Sequence, residues 1–226
     1  MQKLLCLGDS ITDCGHLLEH PPLGNGYVSI LAKLLPPKIA DLQVINQGYD
    51  GFTLSRLSEK AEQIDSFAPD ILTILIGIND VSLMLCTGRT PQQKAQMMDT
   101  FTCRYQKLVS RITAPGRHLF LIEPFLFPWP AEYKAWMPCV QEMSERIAQL
   151  ARENKLPYVR TQALLHKEAR SCGVESLTPD GIHLTGQGHT LLAHCIYHAI
   201  IGEACMFNFS EMQNKAEHFV TGGILP

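Results

Sequence analysis

The chain has 226 residues, 46% of them hydrophobic and 18% charged, with a formal net charge of -3. Disorder needs low hydrophobicity with high net charge, and a nucleic-acid footprint needs clustered Lys and Arg; neither pattern is present. No stretch approaches the roughly 18 apolar residues of a membrane-spanning helix. The expected partner is a small molecule, with no nucleic acid and no membrane insertion.

From Met1 the chain passes through a short apolar run to the polar turn Gly8-Asp9-Ser10, too soon for a secretory signal to be completed. Eight cysteines are scattered without paired spacing. They read as reduced thiols in a cytoplasmic setting. Short apolar runs at 3–7, 42–45, 71–76 and 118–122, with a weaker one at 157–159, have the pattern of strands covered on both faces. Between them lie helical stripes: Met97, Phe101, Tyr105, Leu108 and Ile112; then Val140, Met143, Ile147 and Leu150; then Leu191, Leu192, Cys195, Ile196 and Ala199. Alternating strand and helix predicts a doubly wound α/β fold with right-handed crossovers.

No repeat or linker divides the sequence, so residues 1–226 are expected to form one domain with its core at about 3–201. The tail 203–226 carries Phe207, Phe209, Met212 and Phe219, which pack either on their own domain or on a second subunit in a homodimer. The aromatic, proline-rich loop 123–136 offers Phe125, Trp129 and Trp136 as candidate substrate contacts, with ordinary loop packing as the competing reading. Asp9, beside Ser10, joins them as a candidate contact.

Polar motifs follow the predicted strands. Gly8-Asp9-Ser10-Ile11-Thr12 comes after the first, Asn46-Gln47-Gly48-Tyr49-Asp50-Gly51 after the second, and Gly77-Ile78-Asn79-Asp80 after the third. A parallel sheet delivers all such turns to one rim, where ligands bind. Asp180-Gly181-Ile182-His183 precedes the last helical stripe and is expected at the same rim. A serine hydroxyl becomes nucleophilic when a base takes its proton, histidine does this near neutrality, and an acid on the other ring nitrogen fixes the tautomer. Ser10, His183 and Asp180 meet that requirement. Backbone N–H groups of Ser10 and Gly48, with the Asn79 amide, are the candidate oxyanion donors.

These blocks in this order resemble the SGNH (GDSL-type) hydrolase superfamily: GDSIT at 8–12, Gly48, GIND at 77–80 and DGIH at 180–183, over residues 4 to about 200. The resemblance implies a flavodoxin-like three-layer α/β/α sandwich with a mainly five-stranded parallel sheet. It also implies a cofactor-free serine esterase with Ser10 as nucleophile, His183 as base and Asp180 as acid. Leu184 departs from the proline that follows the histidine in many members. Short-chain acyl esters, acetyl on carbohydrates above all, are the expected substrates, ahead of lysophospholipids and thioesters. An acyltransferase with the same triad, or a non-catalytic module holding an anionic ligand, are the rival readings. No Gly-x-Ser-x-Gly elbow of an α/β-hydrolase occurs.

Other polar residues have plainer expectations. Cys14, His16 and His20 match no metal-ligand spacing, so no metal is expected. His194 and His198 share a helix face as structural residues. Asp13 either lies near Ser10 or serves as a turn or helix-start residue. Asp80 either orients Asn79 or caps the turn after it.

Overall fold

The computed structural model describes residues 1–18 and 20–202. Five parallel strands form one sheet in the order β2-β1-β3-β4-β5: β1 (Gln2–Gly8), β2 (Leu42–Gly48), β3 (Ile71–Leu75), β4 (His118–Ile122) and β5 (Tyr158–Val159). The helices are α1 (Ser10–Asp13), α2 (Tyr27–Leu34), α3 (Leu54–Glu59), α4 (Ala61–Phe67), α5 (Ile78–Cys86), α6 (Pro91–Ile112), α7 (Met137–Glu153), α8 (Gln162–Cys172) and α9 (Gly186–Ile201). One group packs through α9, which touches α2 and α8, and the other through α6, which touches α3, α4, α5 and α7. The result is the three-layer α/β/α arrangement expected from the sequence.

The central strands carry no polar face because both faces are covered: Leu4, Leu5, Leu72, Ile74, Leu121 and Ile122 are fully or almost fully buried. The stripe on α6 behaves as its spacing predicts, with Phe101, Tyr105, Leu108 and Ile112 buried, and each such side chain contributes about 1.5–3 kcal/mol. That helix begins earlier than the stripe. Thr90 accepts the Gln93 N–H while the Gln93 side chain accepts the Thr90 N–H, and Pro91 opens the first turn.

One boundary matters for the site. The apolar run predicts that β2 ends at Ile45, yet the strand continues: Asn46 pairs with Cys6, Gln47 with Leu7 and Gly48 with Gly8. Ladder bonds are made by the backbone, so polar side chains at the end of the strand do not stop it. The turn after β2 therefore begins at Tyr49, whose N–H donates to the Gly8 carbonyl at 3.1 Å.

The aromatic loop is part of the core at its start. Phe125, Leu126 and Phe127 are buried; Leu126 N–H donates to Gln162 Oε1 at 2.9 Å, and Phe127 N–H to the Gly181 carbonyl at 2.9 Å. Glu123 at the end of β4 accepts the N–H groups of Thr161 and Gln162 at 2.7 and 2.9 Å, anchoring the start of α8. The aromatic tail 203–226 lies outside the described residues. No helix among the described residues is long and apolar enough to cross a membrane.

Candidate active site

Ser10 is the first residue of α1, directly beyond strand β1. Asp9 caps this short helix, its Oδ1 accepting the Ile11 N–H at 3.1 Å. Asp9 is 1% exposed, so it lies beneath Ser10 rather than open to a ligand, which counts against its reading as a contact. Burial pushes its carboxyl up to about 7, with the Ile11 N–H and the nearby His183 pulling part of the way back.

The far end of the chain completes the group. His183 Nε2 lies 3.0 Å from Ser10 Oγ across 173 positions of sequence. His183 Nδ1 lies 2.6 Å from Asp180 Oδ2. A carboxylate only accepts, so Nδ1 carries the proton and Nε2 is left to accept from the serine hydroxyl. The other carboxylate oxygen, Oδ1, accepts the backbone N–H groups of Ile182 and His183 at 2.9 and 2.8 Å. Partial burial alone would raise the Asp180 carboxyl, but the His183 and backbone donors outweigh it and hold the group below its ordinary value. The side chains of His183 and Asp180 are 48% and 47% exposed, so the site is open to bulky molecules.

Gly181 makes the tight turn from Asp180 to His183 feasible. Its φ is +92°, and a Cβ there would stand 1.9 Å from the Trp129 carbonyl oxygen. Trp129 thus meets the Asp180–His183 turn through its backbone. Leu184, the departure from the resembled pattern, is 8% exposed and joins the core.

The candidate oxyanion donors divide. The Ser10 N–H opens α1 beside the nucleophile. The Asn79 side chain stands at the start of α5 and donates one N–H to the Phe52 carbonyl at 2.9 Å, keeping its second N–H. Gly48 is different. Its N–H donates to Asn46 Oδ1 at 2.9 Å, and a Cβ at 48 would lie 2.2 Å from the Asp13 nitrogen. It is a packing glycine that lets β2 press on α1, which corrects its reading as a donor. Gly51, at φ +67° with open space at its Cβ position, precedes the Phe52 that Asn79 holds. The motif contained both glycines; only the register of β2 separates them.

The remaining expectations sort as follows. Phe125, 1% exposed and 6.3 Å from the Phe127 ring centroid, is a core residue and is corrected as a substrate contact. Trp129 and Trp136 are half-buried, and Trp136 packs 4.8 Å from the Tyr133 ring. Asp80 does neither of the things expected of it: its Oδ2 accepts the Leu54 N–H at 2.9 Å and so fastens the start of α3. Burial lifts its carboxyl to about 6. Asp13 binds the His16 ring at 2.8 Å and the Asp50 N–H at 3.0 Å. Cys14 lies 3.2 Å from His189 Nε2, while His189 Nδ1 accepts the Tyr27 N–H at 3.2 Å. No group of three or more His, Cys, Asp or Glu among the described residues is placed to hold a metal ion. The residue that sequence reasoning missed is Asn46. Its amide donates to the Thr12 and Leu23 carbonyls at 2.7 and 2.9 Å, so it joins β2, α1 and the loop that follows α1. An asparagine heading the polar motif directly after the predicted strand was the available signal.

Residues 6–191 match the GDSL-like lipase/acylhydrolase family, and the chain belongs to it. It is a GDSL-type serine carboxylic ester hydrolase. An acetylxylan esterase of Geobacillus stearothermophilus is 28% identical over 207 residues, covering 88% of this chain and 94% of that one. The solved structure of Axe2, an acetylxylan esterase of the same organism, superposes with a TM-score of 0.77 at 27% identity, covering 92% of this chain and 97% of Axe2. LAE5, an alpha/beta hydrolase enzyme from the metagenome of Lake Arreo, superposes with a TM-score of 0.74 at 26% identity, covering 92% and 97% of the two chains.

Proposed function

We propose that the enzyme removes short acyl groups, acetyl above all, from hydroxyls of small molecules and carbohydrates, through an acyl-enzyme on Ser10. The observation that carries this reading is the unbroken relay from Ser10 Oγ through His183 to Asp180. His183 Nε2 takes the hydroxyl proton as Ser10 Oγ attacks the carbonyl carbon. The carbonyl oxygen becomes an oxyanion, held by the N–H groups of Ser10, Asn79 and, in place of Gly48, Gly51. Collapse of the intermediate expels the alcohol, which takes its proton from His183 Nε2. Water then repeats the sequence on the acyl-enzyme, giving the acid and restoring Ser10.

Two further points support the choice of substrate. The half-exposed acid and base leave room for a bulky alcohol such as a sugar. Relatives with acetylxylan esterase activity in their names span nearly the whole chain, and solved structures of Axe2 include catalytic mutants in which a serine or an aspartate is replaced by alanine.

The test is an acyl-chain series of nitrophenyl esters run beside acetylated xylo-oligosaccharides, with free acceptor alcohols in competition. Fastest turnover on acetyl esters with release of free acetate fits the reading. Transfer of most acetyl to the acceptor would make the enzyme an acyltransferase, and a preference for long chains would move it toward lipid esters.

A further inference from the structure

Apart from the triad, a cleft of about 430 Å³ lies between α3, α5 and α6. None of Ser10, Asp180 and His183 lines it. Its walls nevertheless start at the catalytic rim. Thr53 follows Phe52, whose carbonyl holds Asn79, and Asp80 follows Asn79 itself. Arg89 and Arg104 also line the cleft.

Neither Arg89 nor Arg104 forms an ion pair within 4 Å among the described residues. Among the described residues, the arginines paired with carboxylates within 4 Å are Arg111, Arg117 and Arg146. Arg89 touches Thr87 Oγ1 through Nε alone, leaving its terminal nitrogens. Arg104 feels Asp80 through space, so this carboxylate, whose Oδ2 also accepts the Leu54 N–H, offsets part of the positive charge of the cleft. A guanidinium presents a planar fork of donors that matches a carboxylate with two parallel bonds. Gln96 and Ser55 add an amide and a hydroxyl, and Met97 and Phe101 an apolar surface, which together suit a ring that is polar at its edge and apolar on its face.

We propose that this cleft is a subsite for an acidic sugar, its carboxylate held by Arg104 with Arg89 and its ring seated against Met97 and Phe101. The acid arrives in one of two ways: as a branch on the acetylated substrate, which rests on the function proposed above, or as a free sugar acid.

The experiment uses the full chain and the variants Arg104→Gln and Arg89→Gln, the second at an exposed position. Glucuronate is titrated into each by calorimetry. Kinetics are measured on p-nitrophenyl acetate and on acetylated oligosaccharides with and without a uronic acid branch. Loss of a charge-assisted pair predicts about a tenfold weaker glucuronate affinity, or a tenfold loss of preference for the branched substrate, in Arg104→Gln, with nitrophenyl acetate turnover kept. Preference for the branched substrate identifies the acid as part of the substrate; glucuronate binding without that preference identifies a free acid. The proposal is overturned if neither measurement separates the parent from either variant, or if inorganic phosphate binds as tightly as glucuronate. Arginine-dependent glucuronate binding in a protein that cleaves no ester would keep the subsite and reject the esterase reading.

Discussion

The side-chain oxygen of Asn46 accepts the backbone N–H of Gly48 at 2.9 Å, and this bond occupies the Gly48 donor. The same amide group ties β2 to the Thr12 and Leu23 carbonyls. Asn46→Ala leaves several buried backbone groups unpaired, each costing about 1–3 kcal/mol. A fall in thermal midpoint of several degrees is expected, with a fall in kcat as α1 loses its support. An unchanged melting curve would refute the role given to Asn46.

Ser10→Ala and His183→Ala are each expected to lower kcat by ~10⁴–10⁶ on p-nitrophenyl acetate, with far-UV dichroism unchanged. Because the two act as one unit, the double variant should be scarcely worse than either single one. Additive losses would mean that Ser10 and His183 act separately.

Asp180→Asn retains an oxygen for the Ile182 and His183 N–H groups but presents an amide to the imidazole. The proton is then no longer directed to Nδ1, and kcat is expected to fall by ~10²–10⁴ with little change in stability. Turnover close to the parent rate would remove Asp180 from the relay.

The two glycines separate by substitution. Gly48→Ala forces a Cβ to within 2.2 Å of the Asp13 backbone and is expected to cost several kcal/mol, about the scale of a severe core substitution. Gly51→Ala meets nothing within 4 Å and carries only the strain of φ +67°, about 1 kcal/mol. Denaturant titration of the two variants checks the order. For the oxyanion site itself, Asn79→Ala should lower kcat by ~10²–10³.

The pH dependence of stability has a definite sign. Burial raises Asp9 from 3.8 to about 7 and Asp80 to about 6, so in that window the folded chain binds more protons than the unfolded one. Their contributions are present at low pH and decline as pH rises from about 4 to 7. His189 acts in the other direction: burial lowers it from 6.5 to about 4, and its contribution is lost as pH falls through that interval. Asp9→Asn keeps a capping oxygen and removes one declining contribution. Urea midpoints at about pH 5 and about pH 8 should then differ less in favour of the lower pH than in the parent. Identical pH dependence in the two proteins would show that Asp9 does not change its protonation.

Much of this architecture was legible in the chain. Continuous apolar runs located the strands because both faces of the sheet are covered, and the order of the polar blocks placed Ser10, Asn79 and His183 on one rim. What escaped was governed by partners distant in sequence. Helices α3 and α8 are short, and their starts are fastened by Asp80 and Glu123 from other elements, which periodicity does not reveal. The end of β2 was invisible to hydrophobicity because Asn46 and Gln47 are polar while their backbones pair with β1. Phe125 lies in a sequence that reads as a loop, but Gln162 holds the neighbouring Leu126 by both its N–H and its carbonyl and keeps the segment inside.

The stacking of Gly181 beneath the Trp129 carbonyl has a dynamic consequence. Asp180 and His183 sit on one four-residue turn wedged against the aromatic loop, so a displacement of that loop is expected to carry them together with their mutual bond. What such a displacement alters is the gap between imidazole and hydroxyl. Substitutions along the loop should therefore slow turnover while leaving the acid–base couple intact, as an instrument drifts out of focus without losing a lens.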